Sequence, residues 1–396
     1  MTGTRELPSH AELQPCDHTV AGHDGALSDA NGELFIKPCM QQEIDFYEKA
    51  FQEHPDFAAL MPVYLGTLAL NDATDASSLN EQLPAVAEHL SEGLKEEAVL
   101  AVKETLGKAA DEPADGQGNI AWKPNKNRRI VTNASVVLEN STYGFKKPNI
   151  LDAKLGRRLW ADDAPMEKRK RFDEITKATT NGSHGFRIAG MRVYKGSDNP
   201  EELDSEDFRI YSKDYGRFQV NKDNVVQEIG KFIFNERAGI DEDLGRAVAQ
   251  AFLGDLRRVE HVLANSETRM YSASLLFTFE GDGEALREAI EQNNALASEM
   301  EEKNRELDLA QETVAELEAQ VHSGAIEGDV KVVELMGDVA ADSDEDGDAE
   351  LSTLPRIYSL KLIDFAHAEW VPGQGPDENS LLGVRSLIKI FEELVR

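Results

Sequence analysis

The sequence predicts an α+β fold, because strands and helices follow one another without the strand–helix–strand alternation of a doubly wound parallel sheet. Two further observations bound the architecture. At 396 residues the chain exceeds the usual size of a single core, so one large domain with insertions, or two lobes, is expected. A hydrophobic content of 40% is ample for that core.

The elements read in order as follows. Residues 1–15 are polar and expected to be disordered. Residues 20–37 run from a glycine-bearing loop through an Asn31-Gly32 turn into the short strand 33–37, a hairpin signal. A helix is expected over 43–53, with Ile44, Tyr47 and Phe51 on one face, and a strand over 61–68. Residues 71–127, rich in Ala, Glu, Asp, Asn and Gly with helical potential near 81–107, read as a mobile insertion. Strands follow at 129–138 and 186–194, with a charged helix between them at 165–176. The stretch 241–264 is an amphipathic helix with Asp241 as N-cap and a stripe of Leu244, Val248, Phe252, Leu256, Val259 and Leu263. Strands at 270–279 and 357–365 and a helix over 379–394 complete the order.

Between those last strands, Leu286, Met300, Leu307, Val314 and Val321 recur at multiples of seven, with Asn293 breaking the series. The second seam is weak, which favours a long solvated helix over a strong coiled coil; residues 342–350 should be disordered.

Composition removes several classes of function. Cys16 and Cys39 form no C-x-x-C pair, so a disulfide scaffold or structural zinc site has no support and a reducing compartment is favoured. No signal-peptide core or membrane-spanning run occurs, so no membrane partner is expected. The net charge of −32 disfavours direct nucleic-acid binding. That charge is uneven: residues 281–350 carry 22 acidic and four basic side chains, a net of −18. Elsewhere basic residues cluster, at Lys123, Lys126, Arg128 and Arg129, at Lys146, Lys147, Lys154, Arg157 and Arg158, and from Lys168 to Arg171. Positive clusters on a strongly acidic chain suggest a local site for a polyanion, although each alone reads equally as a solvated face.

Three features carry phosphoryl-transfer chemistry, which needs phosphates held by cations, a carboxylate for a metal and an aligned acceptor hydroxyl. Lys37 ends a strand after a glycine-bearing loop, with Glu43 on the next helix; alone it is ordinarily a solvated edge residue. Asp152 and Lys154 stand two apart in an extended apolar stretch and so face one side. Asp364 closes an apolar strand before Phe365, like the metal-binding aspartate of kinases, or simply as a strand-terminating residue beside a core His367. No G-x-x-x-x-G-K-[S/T] or G-x-G-x-x-G occurs, which excludes a P-loop.

With these residues the chain resembles the inositol polyphosphate kinase family. That family's P-x-x-x-D-x-K-x-G signature is complete from Pro148 to Gly156, and further matching blocks surround Lys37, Glu43, Leu138-Glu139-Asn140, the run Thr179 to Met191, Ile363 to His367 and Asp377 to Gly383. One departure is Ala273, where the family's S-S-L-L has its first serine; Ser272 and Ser274 flank it. The resemblance implies a two-lobed, protein-kinase-like fold, with an N-lobe over 16–140 built on an antiparallel sheet and a mixed C-lobe over 141–396. It implies ATP and Mg²⁺ as cofactors. Lys37 with Glu43, Glu139, Asn140, Ser274 and Asp364 would bind the nucleotide, with Glu139 and its neighbours as the hinge strand that meets adenine through backbone groups, and Asp364 would hold the metal. Asp152 would orient or deprotonate the acceptor hydroxyl, and Lys154 would bridge the transferring phosphate and the inositol ring. Lys168, Arg169, Lys170, Arg171 and His367, the first four on an inositol phosphate-binding helix near 165–177, would hold the existing phosphates of the substrate.

No basic amphipathic calmodulin-target segment stands near the N-terminus, which counts against the trisphosphate 3-kinase branch. The compact core and long acidic insert look more like the multikinase branch, with the hexakisphosphate kinases as the alternative. A different class of reading is a nuclear interaction protein that meets basic partners through 281–350, with kinase activity secondary. The Lys168–Arg171 run also reads as a nuclear import signal, so residence in nucleus and cytoplasm is expected.

Overall fold

The computed structural model describes residues 14–15, 26–29, 31–69, 134–322 and 354–396. The expected insertion 71–127, Cys16, the cluster Lys123 to Arg129 and the stretch 342–350 lie outside them. So does most of 1–15, although Gln14 and Pro15 form a short strand rather than disorder.

The first sheet contains β1 (Gln14–Pro15), β2 (Leu27–Ser28), β3 (Leu34–Pro38), β4 (Tyr64–Ala69) and β5 (Ala134–Glu139), in the order β1-β2-β3-β5-β4. The β2–β3 hairpin turns where expected. Gly32 takes φ +74°, its N–H donates to Asp29 O at 3.0 Å, and the Asp29 carboxylate accepts from Leu34 N at 2.8 Å. Between β3 and β4 lie α1 (Gln41–Glu53) and the short α2 (Pro55–Ala58).

Helix α1 buries Ile44 and Tyr47 as its periodicity predicts, but Phe51 is 36% exposed. Phe46 and Ala50 fill the interior instead, because Phe46 lies face to face with Phe365 (4.9 Å) and Trp370 (5.1 Å) from the far end of the chain. Such long-range partners rotate the buried stripe away from what local spacing indicates.

The second sheet is built from β6 (Pro148–Leu155), β7 (Phe186–Tyr194), β8 (Phe208–Tyr211), β10 (Ser274–Glu280) and β11 (Tyr358–Ile363), in the order β11-β10-β6-β7-β8. Its described pairings are all antiparallel. Helices α3 (Met166–Ala178) and α4 (Thr180–His184) link β6 to β7, and α5 (Lys213–Phe218), α6 (Val225–Ile233) and α7 (Glu242–Ala264) follow β8. A two-stranded ribbon pairs β9 (Thr268–Met270) with β12 (Ala368–Trp370). The strand expected over 270–279 is thus two strands. The break falls at Ser272 (φ +66°), whose carbonyl accepts from Lys154 Nζ and whose hydroxyl donates to Leu159 O at 3.0 Å.

Helix α7 is the cornerstone of the C-lobe. Its N-cap Asp241 accepts from Leu244 N at 2.9 Å, and the whole expected stripe is buried. It packs on α9 (Glu378–Leu394), with Phe252 edge-on to Phe277 (5.1 Å) and beside Phe391 (5.9 Å). The acidic helix α8 (Gly283–His322) buries Leu286 and Ala289, but Met300 is exposed, so it leaves the core after its first turns. Asn293, where the heptad lacks an apolar residue, donates to Ala289 O (2.8 Å) and Pro355 O (3.1 Å).

Phe252 has no solvent exposure and Phe218 is 80% exposed. Replacing Phe252 with Ala should therefore destabilise the protein by about 3–5 kcal/mol, while Phe218→Ala should fall within about 0.5 kcal/mol of the parent. Urea denaturation of the two variants checks the contrast.

Candidate active site

Strand β6 occupies the middle of the second sheet, between β10 and β7, which is why its alternate residues are buried on both faces. Asp152 is 4% exposed, and Lys154 lies one step further on. The register places Lys154 opposite both Ser274 of β10 and Arg187 of β7, while Ser274 in turn faces Ile363 of β11. This row carries the chain straight into Asp364. The signature ends at Gly156 for a steric reason: at φ +94°, a Cβ there would stand 2.4 Å from Asn379 Nδ2. Asn181 steadies the same end of β6, donating to Lys154 O (3.2 Å) and Gly156 O (2.8 Å).

Lys37, from the first sheet, is drawn inward rather than left at an edge. Its ammonium meets Glu43 Oε1 at 2.8 Å and Asp364 Oδ1 at 2.9 Å. Burial opposes the charge on Lys37, but Asp364 and Glu43 outweigh it and hold the ammonium well above its usual range. Glu43 also accepts from Phe365 N at 3.2 Å, which ties α1 to the backbone beside Asp364. Asp364 Oδ2 lies 3.5 Å from Lys154 Nζ, so one carboxylate stands between two lysines brought from opposite sheets. Asp364 takes φ +67°, a conformation uncommon outside glycine that turns the chain sharply after β11.

Asp152 sits beneath this row. Burial pushes its carboxyl above the usual value; Lys154 opposes the rise, Asp364 adds to it, and Ser274 and Arg187 counter it. Its Oδ1 is buried without a hydrogen-bond partner among the described residues. Lys154 donates to Ser272 O (2.7 Å) and Ser274 Oγ (3.1 Å), which fixes its ammonium between the two aspartates. Ser274 thus sits fully buried beneath Lys154. Ala273, the departure from the family pattern, packs in the apolar core.

The basic run on α3 divides. Lys168 Nζ reaches His367 Nε2 at 3.2 Å, and burial together with Lys168 lowers the pKa of that imidazole. Arg169 turns back to Ala164 O (2.7 Å) and lies over the Trp160 ring, while Lys170 and Arg171 are exposed. Lys146 and Lys147 do not converge on the signature: their amides bind Glu280, and the Lys147 ammonium lies over the Tyr194 and Phe208 rings. Arg158 stacks on Trp160 (4.0 Å) and Tyr271 (4.7 Å). At the end of β5, Glu139 is paired with Arg356, and the amides of Glu139 and Asn140 donate to Val63 O (2.9 Å) and Glu33 O (2.8 Å).

Arg187 was not singled out as a site residue in the sequence. It is 4% exposed, its Nε and Nη1 lack partners among the described residues, and burial with the nearby Arg217 charge lowers its pKa to about 10. Arg217 Nε is likewise buried and unpartnered there. The two guanidiniums lie near each other, with Asp152 acting on Arg187 and Asp214 Oδ1 3.3 Å from Arg217, and the unpartnered N–H groups are donors suited to anionic oxygens. A signal was available but shared: this nine-residue strand carries two buried arginines, Arg187 and Arg192, each costly to bury without a partner.

The inositol polyphosphate kinase family model matches residues 135–392, and the chain belongs to that family. An inositol polyphosphate multikinase of Saccharomyces cerevisiae is 32% identical over 392 residues, covering 95% of this chain and 96% of its own. Human inositol hexakisphosphate kinase 1 is 27% identical over 267 residues, 65% of this chain and 52% of its own. The crystal structure of the inositol phosphate multikinase Ipk2 from S. cerevisiae, in complex with ADP and Mn²⁺, superposes with a TM-score of 0.52 at 25% identity. It covers 92% of this chain and 100% of its own.

The elevated Asp152 pKa has a consequence for stability. A carboxyl that holds its proton more tightly when folded contributes stability below its unfolded pKa, and loses it as pH rises through the folded value. Asp152→Asn should therefore melt above the parent at neutral pH, the two converging below about pH 4. Thermal melts across that range test it; an Asn variant less stable at neutral pH contradicts the assignment of burial as the dominant influence.

Proposed function

We propose that the chain transfers the γ-phosphoryl group of ATP to hydroxyls of inositol tris- and tetrakisphosphates, acting as a multikinase. The observation that carries this reading is the row Lys37–Asp364–Lys154 with Asp152 beneath it. Similarity to a multikinase over 95% of this chain supports the branch, whereas the similarity to human hexakisphosphate kinase 1 covers only part of both chains.

The residues fit Mg²⁺. No group of three or more His, Cys, Asp or Glu that could hold a metal occurs among the described residues. That suits an ion held by one or two carboxylates together with substrate phosphates, rather than by an all-protein cage. Asp364 would hold it, and when bound the ion neutralises charge on the phosphate oxygens.

Lys37 would grip the nucleotide phosphates, exchanging part of its bond to Asp364 for phosphate oxygens. An acceptor hydroxyl placed over Asp152 would attack the γ-phosphorus as the bond to the ADP oxygen breaks, and Asp152 would take the hydroxyl proton. Its raised pKa suits that task, since a base nearer the working pH accepts a proton more readily. Lys154 would balance the charge on the transferring group. Lys168, His367 and the Arg187–Arg217 pair would receive the phosphates already on the ring. Each phosphate monoester carries about −1.5 to −2 charges near neutral pH, so several cations are needed.

Incubation with ATP, Mg²⁺ and each inositol phosphate isomer, with products resolved, tests the reading. Successive phosphorylation of tris- and tetrakisphosphates is expected, and acceptance of the hexakisphosphate alone would reject the branch. Asp364→Asn should lower kcat by about 100-fold or more while inositol phosphate affinity changes by no more than about threefold. Near-normal turnover in that folded variant would mean the metal carboxylate lies elsewhere.

A further inference from the structure

We propose that Arg356 is a positioning residue for the nucleotide: rooted through Asn293 on α8, it holds Glu139 and sets the bend 139–144 at the rim of the cleft. The proposal rests on the reading of that bend as the nucleotide-facing hinge.

The bend is well fixed on its own side. Asn140 Nδ2 donates to Gly32 O (2.8 Å), and Asn140 Oδ1 accepts from Thr142 N (3.0 Å) and Thr142 Oγ1 (2.9 Å). Its tie to the strand β11 side is Arg356. That guanidinium pairs with the Glu139 carboxylate, and its stem lies under Gly144, where a Cβ would stand 3.4 Å from Arg356 Cδ. One side chain therefore touches both ends of the bend.

Arg356 is held at its root as well. The residue before it, Pro355, offers its carbonyl to Asn293 Nδ2 at 3.1 Å, and the residue after it, Ile357, accepts from Glu280 N at 3.1 Å. Asn293 is the position that interrupts the heptad series of the acidic helix. A polar residue there gives up an apolar seam contact and gains this bond, so the anomaly in the sequence has a use at the cleft. The line Asn293–Pro355–Arg356–Glu139 joins the acidic helix to the hinge without touching Lys37, Asp152, Lys154 or Asp364.

Arg356 and Glu139 have side chains 34% and 28% exposed, which limits the strength of the pair. The expected effect is accordingly modest: Arg356→Met should raise the KM for ATP about fivefold, with kcat and the KM for inositol trisphosphate within about twofold. Arg356→Lys should restore most of the ATP affinity. Asn293→Leu, which completes the heptad, should shift the ATP KM in the same direction by less. The double variant Arg356→Met with Glu139→Gln should be no worse than either alone, since both remove one interaction. Should Arg356→Met fold poorly, Asn293→Leu and Glu139→Gln carry the test.

An ATP KM within about twofold of the parent in each of Arg356→Met, Glu139→Gln and Asn293→Leu overturns the proposal, as does a parallel rise in both substrate KM values. Titration with a fluorescent ATP analogue separates it from the functional reading. A chain that binds the analogue in an Arg356-dependent way, yet phosphorylates no inositol phosphate, defeats the phosphoryl-transfer reading and upholds this one.

Discussion

Two lysines from different sheets close on one carboxylate, and the rest of the cleft is arranged around that contact. Lys37 and Lys154 are mostly withdrawn from water, and an ammonium in such a place needs a counter-charge within a few ångströms. Asp364 supplies it to both. Removing the carboxylate would leave two like charges facing each other at short range. Antiparallel register does the positioning: β6, β10 and β11 lie side by side, so Lys154, Ser274 and Ile363 form a row whose next residue is Asp364. Residues more than two hundred positions apart in sequence thereby become neighbours.

The same contact explains how a strongly acidic chain can present a site for a polyanion. Among the described residues its cations come from the first sheet (Lys37), the second sheet (Lys154 and Arg187) and α3 (Lys168). Some apparent basic clusters are structural. Lys147 and Arg158 lie over aromatic rings, where a cation gains from the π-face and gives up little of its mobility to a ligand. Charge density along the sequence therefore overstated the number of cations facing the signature.

Much of the arrangement was legible because its determinants are local. Strand β7 and helix α7 declare themselves by period and by capping, and Asp152 and Lys154 share a side because extended backbone alternates. The pairing of Lys37 with Glu43 followed the same logic, since a strand end and the first turn of the next helix are necessarily close. What escaped depends on distant partners. Phe46 is inside and Phe51 outside because of Phe365 and Trp370. The strand expected over 270–279 breaks because Ser272 serves Lys154 and Leu159. Arg187 lay hidden in an apolar strand, where periodicity marks the apolar residues and passes over the two arginines among them.

The aromatic contact of Phe46 with Phe365 and Trp370 has a mechanical consequence. Both partners follow Asp364 in the chain, and Trp370 belongs to the ribbon that pairs with β9. Helix α1 is therefore glued to the C-lobe on this flank, although its neighbours in sequence belong to the first sheet. Swinging the entire N-lobe outward would have to peel apart these stacked rings and part Lys37 from Asp364 at once, so the two sheets are clasped at two separate points.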